Sequence, residues 1–131
     1  MISIDIQTRA STDMVDITLG VQQAVKDCGA EKGIALIYCP HTTGAITINE
    51  GADPDVCRDI NVNLSHLIPR AGDYLHAEGN SDAHIKSSLI GCSETVIIEN
   101  GKPVLGTWQR IFFAEFDGPR KRKAYIKVLQ G

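Results

Sequence analysis

Ile2, Ile4 and Ile6 alternate with Ser3, Asp5 and Gln7 at the head of the chain. Period-two patterning of this kind predicts a half-buried strand. A turn over residues 9–12 precedes a short second strand at Met14, Val15 and Asp16. The spacing of Ile17, Val21, Ala24, Val25 and Cys28 then predicts a helix, with Asp16 or Thr18 to start it and Gly29 to stop it. The apolar run 34–39 is short and reads as a buried strand that ends at Pro40. Ile46 and Ile48 alternate with Thr47 and Asn49, which places another strand up to Glu50. Asp53 followed by Pro54 is a strong helix start, and Val56, Ile60, Leu64 and Leu67 supply an inner face as far as Pro69. After a loop over 70–74, Asn80 or Ser81 opens a third helix. Its expected apolar stripe is Ile85, Leu89 and Ile90, and Gly91 closes it. A strand over 95–99 meets the hairpin signal Asn100-Gly101, and Val104 and Leu105 begin the return. The run 111–116, a turn at 117–119 and a last strand over 124–128 complete the pattern. About seven short strands and three helices make a mixed, largely antiparallel α+β fold.

At 131 residues the chain is one domain, 1–131, with enough length for a real core. Thirteen basic residues against sixteen acidic ones leave a net charge of -3, which argues against a nucleic-acid partner. No apolar run approaches the roughly 20 residues of a membrane span, so no membrane partner is expected. The N-terminus has the alternation of a strand, not the basic start and apolar run of a signal peptide. Cys28, Cys39, Cys57 and Cys92 are widely spaced with no CxxC, and are expected to be free, buried thiols in a cytoplasmic protein.

Candidate chemistry gathers in the stretch HAEGNSDAH, residues 76–84. His76 and His84 are eight apart, so they are not the i, i+4 zinc pair of HExxH. A loop entering a helix can still turn two imidazoles toward one point. With His41 from a strand end, three neutral nitrogens can form an open divalent-metal site, with Asp59, Asp73, Glu78 or Asp82 as acceptors behind them. The alternative is three surface or capping histidines with no ligand. His66, on the polar side of the second helix, is read as such a surface residue.

Glu50, at a strand end, can serve as general base or orient a nucleophile. Asn49 can bond a substrate or satisfy a turn, and Asp53 is a helix cap. Thr42, Thr43 and Gly44 offer hydroxyls and a flexible backbone. Gly79, Asn80 and Ser81 offer N–H groups at a helix N-terminus, which favours an anion. Arg110, Arg120 and Arg122 can reinforce phosphate binding. Lys121 and Lys123 read as a solvated strand edge. Cys39 reads as a buried, inert thiol.

Three long motifs, PHTTGAITINEGADPDV (40–56), HAEGNSDAHIKSSLIG (76–91) and LGTWQRIFFAEFDGPRKRK (105–123), resemble the YjbQ family of secondary thiamine-phosphate synthase enzymes. The resemblance implies two sheets of about seven strands in a β-sandwich with helices between them, a homotrimer, and a pocket near a subunit boundary. It implies His41, His76 and His84 as metal or anion ligands, and Asn49, Glu50, Asn80, Thr107, Gln109 and Arg110 as further site residues. The implied reaction joins a pyrimidine methyl diphosphate to a thiazole phosphate and releases pyrophosphate. Such chemistry needs positive charge on the leaving group and orientation of the nucleophile. His41, Glu50 and Arg110 are the expected catalytic residues. Thr42, Thr43, Asn49, Asn80, Thr107, Gln109 and Arg120 are expected to bind substrate. Histidine donors suit zinc, whereas diphosphate chemistry commonly uses magnesium. Two other readings stand beside the synthase. One is a metal-assisted hydrolase of a small phosphorylated molecule, and the other a non-catalytic trimer that binds a metal or an anionic metabolite.

Overall fold

The computed structural model describes residues 1–131. Its eight strands lie in two sheets. The larger has the order β1 (Ile2–Gln7), β8 (Lys121–Gln130), β3 (Gly33–Tyr38), β5 (Ser93–Glu99) and β6 (Lys102–Pro103). The smaller has β7 (Gln109–Glu115) between β2 (Asp13–Asp16) and β4 (Gly44–Glu50). Every paired strand is antiparallel. The expected α+β architecture holds, with one strand more than the pattern suggested. The return from the Asn100-Gly101 turn is the two-residue β6, which starts at Lys102 rather than at Val104, and beyond it the Val104 N–H still donates to the Ile97 carbonyl at 2.7 Å.

Alternation explains the core. Ile6 on β1, Ala35 and Ile37 on β3, Val96 and Ile98 on β5, and Ala124 and Ile126 on β8 all point to one side. There they meet Ile46, Ile111 and Phe113 of the small sheet and Val21, Ala24 and Val25 of helix α1 (Thr18–Cys28). Gly29 ends α1 in the left-handed conformation at φ 69°, which glycine adopts without a Cβ clash. At the other end, Asp16 accepts the Thr18 N–H at 2.9 Å. Helix α2 (Pro54–Leu67) starts as expected, with Asp53 accepting from the Asp55 N–H at 2.9 Å and Pro54 in the first turn.

Four expectations need correction. Residues 34–39 are not buried throughout: Ile34, Leu36 and Tyr38 face outward, because the chain leaves that side of the large sheet uncovered. The apolar face of α2 is only partly covered, and none of its residues is fully buried. Helix α3 (Ser81–Ile90) is turned away from its predicted stripe. It buries Asp82, Ala83, Lys86 and Ser87 and leaves Ile85 and Leu89 exposed. Hydrogen bonds to other elements fix that orientation: Ser87 Oγ donates to the Gly44 carbonyl at 2.5 Å, and Lys86 Nζ to Ser65 Oγ at 3.4 Å. The cysteines are free, but only Cys39 is buried; Cys28 and Cys92 are exposed, and Cys57 is partly covered. Burial pushes the Cys39 thiol up to about 11, consistent with an inert side chain.

Candidate functional site

The small sheet has two polar ends. At one end, Glu115 terminates β7 opposite Gly44, and the chain turns through 117–119 into β8. Period-two alternation in β8 points Arg122 inward with Ala124 and Ile126, and Lys121 and Lys123 outward. Arg122 therefore meets Glu115 inside the protein. Its Nε donates to Glu115 Oε2 at 2.7 Å, and a terminal nitrogen donates both to Glu115 Oε1 and to Thr43 Oγ1, the latter at 2.7 Å. Thr8 Oγ1 donates to Glu115 at 2.9 Å, and the N–H groups of Phe116 and Asp117 add bonds at 3.1 and 3.0 Å. Burial pushes the Glu115 carboxyl up. The bonds from Arg122, the Asp117 N–H and Thr8 outweigh burial and hold it below its ordinary value.

Over this network lies a cleft of about 380 Å³ with no hydrophobic residue in its lining. The loop after β3 brings His41, Thr42 and Thr43 to it, the start of α3 brings Asn80 and His84, and the β7–β8 turn brings Asp117 and Arg120. Arg122 backs the cleft, but its charge is already matched by Glu115. Because Thr43 Oγ1 accepts from Arg122, its own proton is free to be donated. Arg120 bonds the Asp117 carbonyl at 2.8 Å and carboxylate at 3.0 Å, leaving the rest of its fork unspent. Asn80 does not cap α3 with its side chain; its amide donates to Asp117 at 2.9 Å and ties the helix start to the turn.

The histidines divide. His41 Nε2 accepts the Lys123 N–H at 2.9 Å, so that lone pair is committed and the neutral ring carries its proton on Nδ1. Burial and the nearby Arg122 charge hold the His41 pKa below its ordinary value. His76 and His84 meet edge to face, with ring centroids 5.4 Å apart, and Glu78 Oε1 lies 3.9 Å from His76 Nε2. Of the expected supporting carboxylates, Glu78 alone stands beside a histidine: Asp82 pairs with Lys86, and Asp59 with Arg58. No three of the His, Cys, Asp and Glu side chains are grouped to hold a metal ion. The expected set of His41, His76 and His84 thus does not fit a metal in this arrangement. The His41 N–H, the threonine hydroxyls and an arginine fork suit oxyanion oxygens better.

The other expected site residues sit at the opposite end of the small sheet. Six steps along β4 separate Gly44 from Glu50, about 20 Å at the usual strand rise. Glu50 pairs with Gln109 and Asn49 with Arg110 across the strands. Asn49 Oδ1 takes the Glu50 N–H at 2.7 Å, Gln109 takes the Gly106 N–H at 2.7 Å, and Arg110 bonds Asp16 at 2.7 Å. Thr107 is exposed in the turn before β7. Within one chain, then, Asn49, Glu50, Thr107, Gln109 and Arg110 do not converge on the histidines.

Glu115, Thr8 and Lys86 escape the sequence reading. The signals were a lone carboxylate inside the apolar run IFFAEF and the inward register of Arg122.

A family model described as "UPF0047 protein YjbQ-like" matches residues 2–131. A UPF0047 protein of Methanocaldococcus jannaschii is 59% identical over 124 residues, covering 95% of this chain and 90% of that protein. YugU of Bacillus subtilis, also a UPF0047 protein, is 49% identical, covering 97% of each. Among solved structures, an uncharacterized YjbQ/UPF0047 protein of Clostridium acetobutylicum superposes with a TM-score of 0.97 at 55% identity, covering 98% of this chain and all of that one. A protein of unknown function from Sulfolobus solfataricus gives a TM-score of 0.94 at 32% identity, covering 98% and 95%. In sequence along nearly its whole length, and in the course of its backbone, the chain belongs to the YjbQ/UPF0047 family.

Proposed function

We propose that this protein is an enzyme that acts on a small phosphorylated molecule and holds a phosphoryl group in the cleft over Arg122. One observation carries the reading: a cleft with no apolar lining in which Thr42, Thr43, His41, His84 and Arg120 gather. A phosphoryl group needs several donors at once, with N–H and O–H groups that no other acceptor has taken. The free Thr43 proton, the Nδ1–H of His41 and the open side of Arg120 supply them. The resemblance to secondary thiamine-phosphate synthases suggests the reaction, transfer at a diphosphate ester with pyrophosphate leaving. Arg120 and the threonine hydroxyls would steady the leaving group.

Glu50 and Arg110 lie about 20 Å away along β4. They take part only if a second copy brings its far end to this cleft. Self-association is supported by the uncovered apolar row on the large sheet, where Ile34, Ile97 and Leu129 stand side by side and are 38%, 59% and 52% exposed. It is supported also by the outward Ile85 and Leu89 of α3. A homotrimer is the assembly we infer. No helix is long and apolar enough to cross a membrane.

The test is calorimetric titration with pyrophosphate, paired with an assay of pyrophosphate release from the pyrimidine diphosphate and thiazole phosphate. Arg120→Ala should weaken pyrophosphate binding by roughly 1.5–3 kcal/mol, the worth of a hydrogen bond to a charged group. Binding without turnover would make the protein a carrier. Absence of binding would remove the reading. Metal content is the separate check on the histidines. A stoichiometric ion lost in a His76→Ala, His84→Ala double variant would restore the metal site, after rearrangement of the rings.

A further inference from the structure

Behind the first cleft lies a second, of about 230 Å³, lined among others by Ser11, Thr12, Ser65, Arg70 and Lys86. Asn80 and Asp117 line both clefts, so their 2.9 Å hydrogen bond is a shared wall. The space amounts to several water volumes of ~30 Å³ each. Its floor is unusual. Lys86 is only 3% exposed, and lysine is almost never buried to that degree without a reason. Its ammonium donates to Asp82 at 3.1 Å and to Ser65 Oγ at 3.4 Å, which leaves a third N–H unspent.

The helix could have been placed otherwise. Turning α3 to bury Ile85 and Leu89 would replace a buried ion pair with apolar contact, a change that is commonly neutral or stabilising. Instead the fold presents Asp82 and Lys86 to the cleft and leaves the two apolar residues outside. The lining holds two carboxylates, Asp82 and Asp117, and two cations, Lys86 and Arg70. Asp82 is matched by Lys86 and Asp117 by Arg120, whereas Arg70 has no ion-pair partner. Ser65 Oγ accepts from Lys86, so its proton is available for donation. Arg70, Lys86 and Ser65 are thus three donors with capacity left over, and Arg70 is the cation of the lining that no carboxylate bonds.

We propose that this second cleft is an oxyanion subsite, and that the molecule served by the pair of clefts carries two anionic groups, one on each side of the Asn80–Asp117 wall. The subsite stands on its own geometry; the bridging of the two clefts rests on the phosphoryl reading of the first.

The experiment is nuclear magnetic resonance titration of the intact protein with inorganic phosphate, followed by propane-1,3- and pentane-1,5-bisphosphonate. Phosphate should move two separate sets of amide signals, one around Thr42 and Thr43, the other around Ser11, Thr12 and Ser65. Arg70→Ala, at an exposed loop position, should abolish the second set and leave the first. Arg120→Ala should do the reverse. At least one bisphosphonate should bind tenfold tighter than phosphate, and lose that gain in either variant. If phosphate moves only the first set, the subsite is refuted while the proposed function stands. If it moves only the second, the subsite stands and the phosphoryl reading of the first cleft fails. Two sets with no bisphosphonate gain would refute the bridge.

Discussion

The small sheet carries an arginine–carboxylate pair at each end, and the two are alike only in formula. Glu115 and Arg122 have side chains 0% and 4% exposed, whereas Asp16 and Arg110 are 38% and 36% exposed. Glu115 accepts from one arginine, one threonine and two backbone N–H groups. Asp16 accepts from Arg110 and one N–H. The buried pair has its hydrogen-bonding capacity filled and holds Thr43 and the β7–β8 turn in place beneath the cleft. The open pair touches solvent, so water can replace either partner. The contrast teaches that a charged residue in a site motif can be scaffold: Arg122 is the deepest arginine near the cleft and the least able to bind a ligand.

The largest effect expected follows from that asymmetry. Arg122→Ala leaves Glu115 charged, buried and short of its main donor, and should cost about 3–5 kcal/mol in urea unfolding. Replacing both partners, with Glu115→Leu and Arg122→Met, should cost less than Arg122→Ala alone, because no stranded charge remains. If the double variant is worse than the single, the pair contributes by something other than mutual compensation, and the reading of Arg122 as scaffold loses its basis.

Acid should distinguish the ends next. The folded pKa of Glu115 is lowered, so its contribution is fully present above the unfolded carboxylate value and is lost as pH falls through the folded value. Stability of the protein should therefore drop with acid below the ordinary carboxylate range, about pH 4. Glu115→Gln should start less stable and show a shallower acid slope. An unchanged slope would mean that Glu115 titrates alike in the folded and unfolded states.

These contrasts also show what a sequence discloses. Periodicity and caps gave the strands, the start of α2 at Asp53-Pro54 and the end of α1 at Gly29, since each depends on neighbours in the chain. His41, Thr42, Thr43, Asn80, His84 and Arg120 were legible as polar residues at element ends, and they meet. Glu50 and Arg110 were equally legible, yet lie at the far end of β4. Strand direction decides this, and a motif spelled 40–56 conceals that its two ends are a strand apart. The turn of α3 was hidden for a similar reason. Its inward face is set by Ser87 reaching Gly44 and Lys86 reaching Ser65, partners 43 and 21 residues away.

The smallest effect expected is at the open pair. Burial pushes the Asp16 carboxyl up, and bonds from Arg110 and Thr18 bring it net below its ordinary value. Asp16→Asn keeps an oxygen for the Thr18 N–H, so the start of α1 stays bonded, and replaces the charged oxygen that accepts from Arg110 Nε with an NH2 that cannot accept. Half-exposed pairs of this kind contribute below about 1 kcal/mol. The loss should shrink further in ~1 M salt, where the screening length is roughly 3 Å. Urea unfolding of the native protein and Asp16→Asn at low and high salt measures it directly. A loss of several kcal/mol that salt leaves unchanged would place Asp16 and Arg110 beside Glu115 and Arg122 as structural, and would leave Arg110 as little available to a ligand as Arg122.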